Sequence, residues 1–306
     1  MIVSISRRTD IPAFYSDWFF NRLEAGYALV RNPMRPHQVS RVALDPSSAD
    51  AFVFWSKNPA PMLDRLSRLA DRPSVFHFTL TPYGSDVESG LPDKRTLLAT
   101  FMRLSDRMGV DRVIWRYDPI LLTPRYDEAF HIRAFEAMAR QLAPYTRRVT
   151  VSFVDAYSHI VRAMRALDAK TVSADAQLAL LSRLAPCAQA LGLDMDTCCE
   201  AGDFSALGVA QAHCIDAQLL SRIAKLPAAA PRDPYQRAHC GCAASVDIGA
   251  YDTCAHGCAY CYATHARRAV QRYDPQSPLL CSVLLPEDTV RGRAMPPAFE
   301  RQTTLF

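Results

Sequence analysis

Apolar and polar positions along the first 200 residues fall into two alternating patterns. Short β-branched and aromatic runs occur at Met1–Ser6, Ala51–Trp55, Ser74–Thr79, Val113–Tyr117, Val149–Val154 and Leu193–Thr197. Runs as dense as Val-Ile-Trp-Arg-Tyr and Val-Thr-Val-Ser-Phe-Val predict strands of a buried parallel sheet. Between them lie amphipathic stretches at Lys94–Met108, Asp127–Ala143 and Ser173–Ala190, which predict helices. The alternation is that of an α/β protein. Each run ends in polar or Pro-containing residues, as in Arg7-Arg8-Thr9-Asp10-Ile11-Pro12, Ser56-Lys57-Asn58-Pro59 and Arg116-Tyr117-Asp118-Pro119. Strands that present functional groups on one rim fit a (β/α) TIM-like partial barrel with its site at the C-terminal ends. An open doubly wound sheet places ligands at the same ends. No Gly-rich nucleotide fingerprint or P-loop follows any strand, and the chain has only 11 Gly.

The later chain reads differently. Lys225–Gln236 is rich in Pro and Ala and predicts a linker. This divides the chain into a barrel body over 1–225, a Cys-rich segment over 237–273 and an irregular tail over 274–306. Ala244–Gly249 predicts a further short strand, and Ala263–Tyr273 a basic helix carrying Arg267, Arg268 and Arg272.

Composition narrows the class. The 306 residues are 49% hydrophobic and 22% charged, an ordinary globular balance. A net charge of +4 over this length does not by itself argue for nucleic acid or an anionic surface. No apolar run approaches the roughly 18 residues of a membrane helix. The first residues lack the order of regions of a secretory signal, so the expectation is a soluble cytoplasmic protein.

The cysteines change the picture. All ten lie at or beyond position 187. Clustered thiols in a reducing compartment read as metal or cluster ligands rather than as a disulfide framework. Cys254, Cys258 and Cys261 have the spacing C-x3-C-x2-C, with Tyr260 just before the last. Three thiolates on one turn can each hold one iron of a cubane and leave the fourth open to a small molecule. The other reading is a structural zinc knuckle that adds His256 or another cysteine. Cys199, Cys214, Cys240 and Cys242 form a candidate second site, for an auxiliary cluster or zinc. Its bland alternative makes Cys198 and Cys199 small core residues. Cys187 and Cys281 are assigned to packing.

The spacing and the aromatic resemble the signature of radical S-adenosylmethionine enzymes. That resemblance implies a [4Fe–4S] cluster on Cys254, Cys258 and Cys261, S-adenosylmethionine on the open iron, and Tyr260 beside the adenine. It also implies a reducing electron donor and a substrate that the sequence does not name. A circularly permuted barrel, closed by the last strand beside Met1–Ser6, would reconcile the motif's late position with its chemistry. Taken whole, the chain resembles the bacterial family called domain of unknown function 1848. The matching stretches are Ser4–Asp10, Trp55–Pro59, Arg116–Pro119 and Cys240–Tyr262.

The remaining rim candidates are Arg7, Arg8, Asp10, Lys57, Arg116, Asp118, Asp155, Tyr157, His159 and Glu200. Arginine forks suit a carboxylate or phosphate of a cofactor or substrate, Arg116 and Arg7 foremost, and Glu200 an amine. Arg7–Asp10 and Arg116–Asp118 equally suit structural ion pairs. Two other classes stay open. One is a zinc- or cluster-stabilised binding module whose Arg267, Arg268 and Arg272 meet nucleic acid. The other is a barrel hydrolase, for which the 8 His supply no convincing metal set.

Overall fold

The computed structural model describes residues 1–155, 157–237, 239–265 and 273–300. In chain order its elements are β1 (Ile2–Ile5), α1 (Ile11–Phe14), α2 (Ser16–Ala25), β2 (Tyr27–Arg31), β3 (Gln38–Ala43), β4 (Ala51–Ser56), β5 (Ser74–Thr79), α3 (Lys94–Met108), β6 (Val113–Ile120) and α4 (Glu128–Leu142). There follow β7 (Arg148–Phe153), α5 (Val161–Ala166), α6 (Ala174–Ala190), β8 (Asp194–Thr197), β9 (Ala210–Gln211), α7 (Ala217–Ala224), β10 (Ser245–Asp247) and β11 (Thr289–Gly292). The long helices start where side chains satisfy their first amides. Asp93 accepts from Arg95 and Thr96 N–H at α3, Asp127 from Phe130 at α4, and Ser173 from Ala176 at α6. No helix among the described residues is long and apolar enough to cross a membrane.

Eight strands form one parallel sheet in the order β10-β1-β4-β5-β6-β7-β8-β9. The six runs expected as strands are β1, β4, β5, β6, β7 and β8, and the short strand before the cysteine motif is β10. Because strand side chains alternate between faces, each strand serves two cores. Val3, Ile5, Phe52, Phe54, Phe76, Phe78, Trp115, Tyr117, Val149 and Val151 point outward into the core shared with the helices. Phe54 stacks on Phe76 there, with ring centroids 4.3 Å apart. Ile2, Val53, Val75 and Ile114 point the other way, against Ala212, Ile215, Leu220 and Phe299. A class of α/β with a parallel sheet and flanking helices follows from this arrangement.

Two features go beyond the expectations. A second sheet, β11-β3-β2, joins an antiparallel hairpin to a parallel strand of the C-terminal tail, so the tail is not wholly irregular. β11 is exposed along its length and has no apolar alternation, so only its pairing with β3 makes it a strand. The Pro-rich stretch before the cysteines is tied down rather than free, through Asp233 N–H to Cys242 O (2.9 Å) and Ala244 N–H to Pro231 O (2.7 Å). The expected basic helix with Arg267, Arg268 and Arg272 lies outside the described residues.

Candidate functional site

The same alternation that builds the cores builds a cavity at the C-terminal ends of the strands. Inward parity continues past Ile2 to Ser6, past Val53 to Trp55 and Lys57, and past Val75 to Thr79. It also continues past Ile114 to Arg116 and Asp118, from Thr150 to Ser152, from Asp196 to Cys198, and from Ser245 to Asp247. The end residues of all seven series line one cavity of about 540 Å³. Eight of the ten cysteines line it too: Cys198, Cys199, Cys214, Cys240, Cys242, Cys254, Cys258 and Cys261. All ten are free thiols.

Cys254, Cys258 and Cys261 come from one loop, held on several sides. Gly90 N–H donates to His256 O (2.8 Å) and Ala259 N–H to Val87 O (2.8 Å). Tyr15 O–H donates to Thr253 O. A β-carbon at Gly90 would sit 2.7 Å from the backbone oxygens of both Ala255 and His256, so only glycine permits this approach. His256 Nε2 donates to Asp10 Oδ2 at 2.7 Å. The same oxygen accepts Lys57 N–H (2.7 Å), while Asp10 Oδ1 caps α1 through Ala13 N–H (3.0 Å). Burial alone would raise the Asp10 pKa, but the His256 contact and the Lys57 amide hold it below the ordinary value. His256 Nδ1 is buried without a hydrogen-bond partner among the described residues. Burial and the nearby Asp10 carboxylate push the Cys254 thiol up to about 12. Burial likewise pushes Cys258 up to about 12 against the pull of Lys57.

Tyr260 belongs to a buried ionic knot. Glu88 Oε1 accepts Lys57 Nζ (2.8 Å), Thr81 Oγ1 (2.6 Å) and the Tyr260 hydroxyl, and Oε2 accepts Lys94 Nζ (2.6 Å). Lys57 Nζ also donates to Tyr260 Oη at 2.8 Å. Burial would raise the Glu88 pKa, yet the two lysines lower it to about 2. The Tyr260 ring meets Tyr83 edge-on at 6.0 Å.

The other cysteines come from three separate segments. Cys198 and Cys199 follow β8, Cys214 follows β9, and Cys240 and Cys242 precede β10. Cys199 has a left-handed backbone (φ 60°), and this turn lets two successive thiols line one cavity. Cys198 Sγ lies 3.3 Å from Cys214 Sγ. Cys199 also interacts with Cys198 and Cys240, and Cys242 with Cys214 and Cys240. Cys242 Sγ accepts Ile215 N–H at 3.3 Å. Contact with Cys199 lowers the Cys198 pKa, but Cys214 and burial push that thiol up to about 12. Contact with Cys198 lowers the Cys214 pKa, while Cys242 and burial push it up to about 11. Among the described residues, no three His, Cys, Asp or Glu side chains are grouped around the position of a single metal ion.

The rim candidates are engaged to different degrees. Arg116 gives Nε to Asp118 Oδ2 (2.8 Å) and Nη1 to Cys214 Sγ (2.9 Å), so its fork is committed to protein partners. Asp118 also accepts from Ser152 Oγ. Arg7 and Arg8 reach Asp247 only at 4.0 and 3.9 Å, and about a quarter of each side chain is exposed. Asp247 is instead occupied by Ser4 Oγ (2.7 Å), Ser6 Oγ (2.6 Å) and Arg7 N–H (2.8 Å). Glu200 Oε1 accepts Phe153 N–H (2.9 Å), and burial raises its pKa. Asp155 pairs with Arg237 at 2.7 Å and also accepts from Tyr157. A His159 ring nitrogen meets Cys261 O at 3.1 Å. Cys187 and Cys281 pack, half-buried, against the main core.

Sequence reasoning passed over Cys198, Asp247 and Glu88. Parity could have found the first two: Met195 faces the outer core, so Asp196 and Cys198 face inward, and Val246 places Asp247 likewise. A family model described as "Domain of unknown function (DUF1848)" matches residues 2–263. None of the curated proteins compared with the chain matches it.

Proposed function

The chain belongs to the DUF1848 family, whose description carries no activity, and from its own residues we propose an iron–sulfur enzyme of the radical S-adenosylmethionine type. The observation that carries this reading is that Cys254, Cys258 and Cys261, on one pinned loop, face one cavity of about 540 Å³ at the strand ends. The donor set fits the group: three thiolates serve three irons of a [4Fe–4S] cluster and leave the fourth for a chelating ligand. When bound, the cluster and S-adenosylmethionine supply one-electron cleavage of a carbon–sulfur bond, given an external reductant. The chain's part is to hold and to screen. Asp10, His256 and the Val87–Gly90 backbone fix the loop. Glu88 and Lys57 fix the Tyr260 ring beside it. Arg7 and Arg8 supply guanidinium donors toward an anionic group of cofactor or substrate.

We also read the eight-stranded sheet as a permuted partial barrel. Two features support this. β10, which leads into the cysteine loop, pairs with the N-terminal strand β1. The lead-in to β10 meets the segment after β9 through Ala243 N–H to Ile215 O (2.9 Å), drawing the two sheet edges together. The nucleic-acid alternative rests on arginines outside the described residues and gains no support.

Anaerobic purification with iron, sulfide and zinc analysis, followed by paramagnetic resonance with and without S-adenosylmethionine, tests the reading. The expected result is a reduced cluster whose signal changes on adding S-adenosylmethionine, with release of 5′-deoxyadenosine. Stoichiometric zinc without iron, or an intact reduced cluster indifferent to S-adenosylmethionine, overturns it.

A further inference from the structure

We propose that Cys198 and Cys214 are a redox-active dithiol, which closes to a disulfide by exchange with a low-molecular-weight disulfide entering the cavity. The proposal does not depend on the chemistry of the Cys254, Cys258 and Cys261 loop. Free cysteines often serve as small core residues, and three features set this pair apart from that use.

The first is contact between two pinned segments. Cys198 Sγ lies 3.3 Å from Cys214 Sγ, and a disulfide measures about 2.0 Å, so closure asks for a shift of roughly 1 Å. Cys198 N–H donates to Val151 O (2.8 Å), and the Cys214 carbonyl accepts from the buried His77 Nε2 (2.7 Å). Ala212 N–H donates to Thr197 O (2.8 Å) and joins the two segments beside the pair. The second feature is unequal access. Cys198 is half-buried and Cys214 is 7% exposed, and both line the cavity. Cys198 is therefore the thiol that meets an incoming disulfide, and Cys214 the one that resolves it. The third is a buried cation aimed at sulfur. The Arg116 side chain is 6% exposed, its Nη1 lies 2.9 Å from Cys214 Sγ, and it also interacts with Cys198. A guanidinium gains more from a thiolate than from a neutral thiol, so Arg116 offsets the cost of forming the attacking anion.

The exchange has two steps. Cys198 loses its proton and attacks one sulfur of the small disulfide, whose S–S bond breaks and releases one thiolate. Cys214 then loses its proton and attacks Cys198 Sγ, the mixed disulfide breaks, and the second thiolate leaves. The protein gives up two electrons and two protons, and the small disulfide becomes two thiols. In a reducing compartment such a bond is transient, of the kind used in catalysis or redox sensing rather than to brace a fold.

The test equilibrates the reduced full-length protein with oxidised glutathione, quenches it in acid, alkylates the remaining thiols and maps them by fragment-ion mass spectrometry. The expected product is a Cys198–Cys214 link, two hydrogens lighter than the dithiol, with Cys187 and Cys281 alkylated. In Cys214→Ser the reaction should stop at one glutathione on Cys198. In Cys198→Ser the labelling of Cys214 by glutathione should fall about tenfold, because the buried thiol is not reached. The readout is taken at Cys198 and Cys214, so it stands whether or not the other loop carries iron. Should a variant fail to fold, the map of the unaltered chain decides. Cys198 and Cys214 both left alkylatable, a link from either to a different cysteine, or glutathione on Cys214 in a folded Cys198→Ser chain at the unaltered level overturns the proposal.

Discussion

The two cysteine sets lie in one cavity and are built in opposite ways. Cys254, Cys258 and Cys261 sit within eight residues of chain, on a loop pinned by backbone contacts and a buried ionic knot. The other set draws on three segments, brought together by the pairing of β8 with β9 and by the Ile215 N–H on Cys242 Sγ. A local set survives loosening elsewhere. A distributed set reports on the integrity of the fold.

The largest effect separates the sets by ligand. Cys258→Ala should abolish the cluster of its loop and all S-adenosylmethionine cleavage, because a cubane missing one thiolate loses its anchorage. Iron analysis and 5′-deoxyadenosine measurement check this, and a variant that still cleaves at the original rate breaks the distinction.

The next effect concerns the knot. Glu88→Gln leaves Lys57 and Lys94 without their buried anion and should cost about 3 kcal/mol in denaturant unfolding. The pH dependence has a definite sign. The Glu88 pKa falls from 4.5 to about 2 on folding, so its contribution is complete above about 4.5 and is lost as pH drops toward 2. Unfolding free energy measured across that window should fall by about 3 kcal/mol more in the wild-type chain than in Glu88→Gln. Equal slopes would mean that Lys57 and Lys94 do not hold the Glu88 carboxylate below its ordinary pKa.

Legibility in the sequence follows the same division. Cys254, Cys258 and Cys261 are readable because their relation is a spacing, and spacing is local. The six main strands and α3 are readable because each carries its own apolar signal. Cys214 is recognisable as a cysteine, but its approach to Cys198 rests on the pairing of β8 with the two-residue strand β9, which carries no apolar signal of its own. Glu88 escapes for the same reason, since Tyr260 lies 172 positions away. Cys198 and Asp247 are a different kind of miss. Alternation along Met195–Cys198 and Ser245–Ile248 already points both inward, once the outward face is recognised by Met195, Val246 and Ile248. Arg116 was legible as a rim cation and Asp118 as its ion-pair partner, whereas the contact with Cys214 required the fold.

A smaller effect compares one glycine from each set. Gly90→Ala drives its β-carbon into the Ala255 and His256 carbonyl oxygens, backbone atoms of the cysteine loop. The loop must move, at a cost of about 2 kcal/mol, with less iron retained. Gly241→Ala, between Cys240 and Cys242, meets only the imidazole of His213 at 2.6 Å. That side chain can swing aside, so the cost should stay below about 1 kcal/mol. Thermal melting and iron retention of the two variants give the ranking, and a reversal would mean that the distributed set is the stiffer one.

The smallest effect isolates one hydroxyl. Tyr260→Phe removes the O–H held by Glu88 and Lys57 but keeps the ring against Tyr83. Glu88 Oε1 still accepts from Thr81 and Lys57, so no buried carboxylate oxygen is left without a donor. The loss should be about 1 kcal/mol of stability, with iron content unchanged. S-adenosylmethionine affinity should change by less than about threefold, since the ring and its stacking surface persist. Tyr260→Ala removes that surface and should weaken binding about tenfold while sparing the cluster. A calorimetric titration of both variants separates the contributions. If Tyr260→Phe abolished cleavage with its cluster and affinity intact, the hydroxyl would act on the reacting groups, and the Glu88–Lys57 knot would be part of the chemistry rather than a brace for its loop.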